Sequence, residues 1–166
     1  MERQVRIQEI LRDLEGRSPA GYALAFHIKY TAPDYLFQTY SSEWIDIYSK
    51  NGLVMQDPTV HWGFDNTGSI RWSDLADKDA AGVLAQAAEH GLGYGVCYAT
   101  DAGGSRSVTS FARNDREFSD AEINEIKTMI DELHAMTSDL GTLSPETAAE
   151  LHEMSIRFTH PGTSHS

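Results

Sequence analysis

Two strand-like runs lie almost back to back near the start of the chain: Tyr22-Ala23-Leu24-Ala25-Phe26-His27-Ile28 and Tyr35-Leu36-Phe37-Gln38-Thr39-Tyr40. Only Lys29 to Asp34 separate them, with Lys29 to Pro33 read as the loop. Parallel strands need a crossover of roughly a dozen residues or more, so this pair is expected as an antiparallel hairpin. That excludes a doubly wound parallel sheet at the front of the fold. Tyr94–Thr100 and Arg106–Arg113 repeat the pattern, joined by Asp101-Ala102-Gly103-Gly104-Ser105, a hairpin loop by composition. Gly68-Ser69-Ile70-Arg71-Trp72 reads as a fifth, short strand. Helical periodicity marks residues 2–15, 41–51, a short turn from Pro58, and Lys78 to His90. A capping box at Ser119-Asp120-Ala121-Glu122 opens the clearest helix, which runs to Leu140 with Gly141 as its stop. This order predicts an α/β fold: a five-stranded, mainly antiparallel sheet with helices on both faces. Leu143-Ser144-Pro145-Glu146 starts one more short helix, to about Arg157, and the residues after it read as a tail.

Composition narrows the function classes. A chain of 166 residues, 40% hydrophobic, suits one domain with a real core. Thirteen Lys and Arg against 25 Asp and Glu give a formal charge of −12, and the basic residues form no stripe. Tight nucleic-acid binding by this chain alone is therefore not expected, because phosphate contacts dominate such affinity. The single cysteine, Cys97, rules out an internal disulfide and fits a reducing compartment. No run reaches membrane-spanning length, and the charged start is unlike a signal peptide, so a cytoplasmic protein without a membrane partner is expected.

Enzymatic signatures fail one by one. Gly91-Leu92-Gly93-Tyr94-Gly95 follows a helix and precedes a strand, the reverse of the order a phosphate cradle needs. The seven histidines show no ligand spacing, so no metal is expected. Cys97 has no basic neighbour and reads as a buried, inert thiol. A Gly-x-Ser-x-Gly elbow is absent. The expectation is a protein that is not an enzyme and carries no cofactor.

What remains is the stretch from Tyr40 to Asp57. Tyr40, Trp44 and Tyr48 recur every four residues, so a helix over 41–51 lines their rings along one face. Two readings stand side by side, an aromatic core stripe and a site. Asp57, just ahead of Pro58, likewise reads as the N-cap of a short helix or as a ligand acceptor, and its two oxygens allow both. The polarity of the set specifies a complement. Asp57 wants an N–H donor, while the Trp44 indole and the Tyr40 hydroxyl each want an acceptor. A small molecule with an amide N–H, two carbonyls and an apolar part would satisfy all three. Its apolar part would lie along Val54, Trp72, Val83, Leu84 and Ala87. Without it these groups would be left unpaired, at about 1–3 kcal/mol each, so a poorly soluble ligand-free form is expected.

Tyr40-x-x-x-Trp44-x-x-x-Tyr48, Asp57-Pro58, Trp72, Ala87 and Tyr94-Gly95 together resemble the autoinducer-binding domain of LuxR-type quorum-sensing regulators, over roughly residues 5–140. The resemblance implies an α/β/α sandwich and an N-acyl-homoserine lactone as ligand. It implies that Trp44 donates to the lactone carbonyl, Asp57 accepts from the amide N–H and Tyr40 bonds the acyl carbonyl. It places Tyr48 and Trp72 against the lactone and acyl portions, and the Ser110 hydroxyl near the amide. Val83 departs from the family, which tends to carry an aromatic there. The domains implied are 1–141 for signal binding and 142–166 as a linker resembling the start of a DNA-binding helix-turn-helix domain. The partner expected is a homodimer mate, or a full-length regulator that this chain would hold inactive, through the helices at 2–15 and 119–140. A related domain sensing a different small molecule is the remaining reading.

Overall fold

A computed structural model of the chain describes residues 2–30 and 32–138, together with positions 149 and 153. Helix α1 (Glu2–Arg17) leads into the hairpin β1 (Gly21–Lys29) and β2 (Ala32–Gln38), then α2 (Ser42–Lys50) and α3 (Pro58–Asp65). Strand β3 (Gly68–Arg71), helix α4 (Val83–Glu89), the hairpin β4 (Tyr94–Thr100) and β5 (Arg106–Arg113), and α5 (Asp120–Met136) complete the order. The five strands form one sheet in the order β2-β1-β5-β4-β3, every pairing antiparallel. Helices cover both faces, as expected.

The boundaries moved in four places. Strand β2 starts at Ala32 and ends at Gln38, so Tyr40 lies in the bend before α2 and not in a strand. The helix expected from Lys78 begins only at Val83. Asp79 accepts hydrogen bonds from the backbone N–H groups of Val83, Leu84 and Ala85, which fixes the helix start beyond it. Trp72–Lys78 winds instead as a 3₁₀ helix, which takes Trp72 out of the strand. Helix α5 has the capping box at Ser119 and Glu122 but ends at Met136, short of the expected Leu140, where Thr137 caps it by returning its hydroxyl to the Leu133 carbonyl. The expected stop at Gly141, the helix expected from Leu143 and the division at 141/142 lie outside the described residues, positions 149 and 153 apart.

One face of the sheet is filled. Tyr22, Leu24, Phe26, Tyr35, Phe37, Val96, Tyr98 and Phe111 point toward α1 and α5 and meet Ile7, Leu11, Leu14, Ile126, Ile130 and Leu133. The apolar stripes of both helices are thus largely buried against their own sheet, with Val5 of α1 the exposed exception among the large hydrophobic residues described there. Arg6 bonds Glu132 at 2.7 and 2.9 Å to tie α1 to α5, an exposed pair that contributes little.

A register shift between Ala25 and Ile28 puts His27 at a positive φ of 56° and buries its ring beside His134 of α5. The two imidazoles lie 4.5 Å apart between centroids, tilted by 33°. His27 Nε2–H donates to the His134 carbonyl at 3.0 Å, and His134 Nε2–H donates to the Ala102 carbonyl at 2.9 Å. Those carbonyls only accept, so each neutral ring has its Nδ1 as acceptor, toward Ser105 and Ser107 respectively at 2.7 Å. Burial, and secondly the neighbouring His134, hold the His27 pKa below its ordinary 6.5. The unfolded chain therefore binds a proton that the folded one refuses. This contribution is complete above pH 6.5 and is lost as the pH falls through the depressed folded value. Melting temperatures between pH 7.5 and 5 are expected to fall on acidification, and to fall less in His27→Asn, whose side chain tolerates positive φ. Equal slopes in the two proteins would remove His27 as the cause.

Candidate functional site

The other face of the sheet carries small side chains. Ala23 and Ala25 of β1, Cys97 of β4, and Ser110 and Ala112 of β5 point away from α1 and α5. Large residues alternate with small ones along Tyr22-Ala23-Leu24-Ala25-Phe26, so the strand packs densely on one side and leaves room on the other. Helices α2, α3 and α4 roof that space, and a cavity of about 290 Å³ lies beneath them. Ligand pockets typically begin near this size. Tyr40, Trp44, Tyr48, Val54, Asp57, Trp72, Val83, Leu84, Ala87 and Ser110 all line it.

Each aromatic is held from behind. Tyr40 lies on Gly21, where φ is +117° and a Cβ would come within 2.6 Å of its ring. Trp44 is the third residue of a helix capped by Ser41, whose hydroxyl accepts from the Trp44 N–H at 3.2 Å. Its ring contacts Tyr48 at 5.9 Å and His90 at 5.5 Å. Trp72 lies flat on Gly95 and donates its indole N–H to Ser110 Oγ at 3.0 Å. The Ser110 hydroxyl also neighbours the Cys97 thiol at 3.6 Å and the Tyr40 phenol.

Asp57 is the hub. As the N-cap of α3 its Oδ1 accepts from the Thr59 N–H at 2.9 Å and from Thr59 Oγ1 at 2.7 Å. Its Oδ2 accepts from the Tyr48 hydroxyl at 2.7 Å. The expectation of an unpaired carboxylate is thereby corrected: neighbouring hydroxyls and a backbone N–H satisfy it internally. Tyr48, expected only to pack, is one of those donors. Among the described residues no hydrogen bond is seen to engage the Trp44 indole N–H, and Trp44 lines the cavity.

Burial raises the Tyr40 and Tyr48 phenols far above their ordinary range, with Asp57 adding to the shift at Tyr48. It pushes the Cys97 thiol up to about 12, so this cysteine stays protonated and inert. The cavity thus offers neutral donors and one carboxylate at one end and apolar walls elsewhere, and its one cysteine among the described residues is not an activated nucleophile. Among the described residues no group of three His, Cys, Asp or Glu is placed to hold a metal, and no helix is long and apolar enough to cross a membrane. Sequence reasoning missed Thr59, Ala23 and Ala25. The large–small alternation of β1 was a legible signal for the two alanines; Thr59 gave none beyond its place after the Asp-Pro cap.

The model of the autoinducer binding domain matches residues 19–140. The transcriptional activator protein SolR of Ralstonia nicotianae is 28% identical over 123 residues, which cover 70% of this chain and 52% of SolR. The chain thus spans about half the length of the curated relatives it matches. Escherichia coli SdiA shares the fold at a TM-score of 0.62 and 19% identity, over 84% of this chain and 65% of SdiA. SdiA in complex with octanoyl-rac-glycerol gives 0.61 at 17% identity, over 84% and 63%. CepR2 of Burkholderia cenocepacia, described as an N-acylhomoserine lactone dependent LuxR-family transcription factor, gives 0.53 at 16% identity, over 83% of this chain and 94% of that one. The small-residue face of the sheet, the roofed cavity and the matched model agree, and the chain belongs to the autoinducer-binding domain family of LuxR-type quorum-sensing transcription regulators.

Proposed function

We propose that the cavity binds an N-acyl-homoserine lactone-like signal and that this chain is the sensing domain of a transcription regulator. The observation that carries the reading is the polarity of one roofed cavity. Trp44, Asp57, Tyr40 and Ser110 gather at its polar end, while Val54, Val83, Leu84 and Ala87 supply apolar wall. The Trp44 indole donates to the lactone carbonyl, Asp57 accepts the amide N–H, and Tyr40 with Ser110 receives the acyl carbonyl. Trp72 and Tyr48 flank the ligand, and its chain runs along the apolar wall. The CepR2 description and the acyl chain bound by SdiA support an acylated ligand.

A ligand that binds only the folded state adds about 2.7 kcal/mol at one hundred times its Kd. For a chain of this size that raises the melting temperature by about 5–10 °C. Thermal scans with homoserine lactones of graded acyl length, and with octanoyl-rac-glycerol as a non-lactone competitor, test the reading. A shift with a lactone of some chain length is expected, and it should persist in Glu43→Ala, whose side chain is largely exposed. No shift with any lactone would overturn the assignment, and a response to the glycerol ester alone would redirect it to acylglycerols.

A further inference from the structure

We infer that Tyr48 is a positioning residue: its hydroxyl orients Asp57 for the ligand's amide N–H, and it recognises the ligand through that carboxylate more than through its own contact. The inference rests on the lactone reading above. An ionised carboxylate offers about four lone-pair sites. Thr59 takes two on Oδ1 through its N–H at 2.9 Å and its hydroxyl at 2.7 Å, and Tyr48 takes one on Oδ2 at 2.7 Å. One site remains, on Oδ2, for a fourth donor. The cap fixes Oδ1, but an Asp side chain held through one oxygen still swings its other. The Tyr48 hydroxyl removes that freedom. It also ties α2, which carries Trp44, to the first turn of α3, so the donor for one ligand carbonyl and the acceptor for the amide are set at a fixed spacing. The titratable groups facing Asp57 are Tyr48 from α2, Tyr40 from the bend before it and Cys97 from β4, all held neutral, so no cation substitutes for this donor.

The test crosses a protein change with a ligand change. N-octanoyl-homoserine lactone is compared with its ester counterpart, in which oxygen replaces the amide N–H, by calorimetric titration of the wild type and Tyr48→Phe. A residue acting through Asp57 affects only the ligand that bonds Asp57. Wild type is expected to favour the amide, and Tyr48→Phe to weaken the amide about tenfold, the size of one hydrogen bond to a charged group, while ester affinity stays within about twofold. Tyr48→Met, which likewise fills much of the ring's place and carries no donor for Oδ2, is expected to give the same pattern and serves if Tyr48→Phe does not fold. Equal losses for both ligands would make Tyr48 a packing residue and overturn the inference, as would undiminished amide affinity. Failure of the underlying lactone reading looks different: wild type would bind neither ligand, or both equally, and the inference would fall with it.

Discussion

In a thermal melt, Asp57→Ala is expected to show two losses at once: a lower melting temperature without ligand and no response to lactone. Without ligand, the change removes the cap of α3, at about 0.5–2 kcal/mol. It also strips the Thr59 and Tyr48 hydroxyls of their acceptor, at about 1–3 kcal/mol for the buried Thr59 donor. Tyr48 is half-buried and regains water, so the total should be near 3 kcal/mol, or about 6–12 °C. With ligand, the amide N–H meets no acceptor, and saturating N-octanoyl-homoserine lactone should no longer shift the transition. Asp57→Asn separates the two roles. Its carbonyl oxygen caps as well as Asp, so most of the ligand-free stability should return. Its amide nitrogen then occupies the Oδ2 position as a donor, so the lactone response should stay lost. Recovery of both in Asp57→Asn would show that the carboxylate acts in this protein as a cap alone.

The parts of this molecule that were legible in its sequence are those set by neighbours along the chain. The hairpins followed from loop length, the capping box from Ser119 and Glu122, and the α3 cap from Asp57-Pro58. What stayed hidden depends on residues brought together from afar. The start of α4 moved because the Asp79 side chain bonds three N–H groups ahead of it, which a periodicity count over Lys78–His90 does not weigh. Phe26 and His27 share one face only because of the bulge, whose partner positions lie on β5. The Tyr48–Asp57 bond needs the chain to double back through the 3₁₀ turn at Leu53–Gln56. The cavity is the strongest case: no single strand encloses it, yet the small residues of β1, β4 and β5 fall on one face once the antiparallel register Ala23↔Ser110 and Cys97↔Ser110 is set.

Gly95→Ala is the other change expected to have a large effect, and it acts without touching a polar group. An ideal Cβ at this position would come within 2.1, 2.2 and 2.6 Å of the Trp72 indole atoms Cδ2, Cε2 and Cε3. Residue 95 pairs with Ala112 in the middle of the sheet, so the backbone is held and the indole must yield. The direction open to it is the cavity, which it already lines. Moving there breaks the bond from Nε1 to Ser110 and fills space meant for a ligand. Overpacking costs about 1–3 kcal/mol, and the lost hydrogen bond about 1 kcal/mol more. A melting temperature lower by about 4–16 °C and a lactone affinity reduced at least about tenfold are therefore expected. Gly93→Ala, two residues earlier with nothing within 4 Å of its Cβ, should stay within about 0.5 kcal/mol of wild type. Adding Trp72→Phe to Gly95→Ala should recover part of the stability, because the smaller ring makes room for the methyl group; the two changes then fail to add, as contacting residues do. Additive losses would show that the glycine is not there to seat the indole, and the cavity wall would need another explanation.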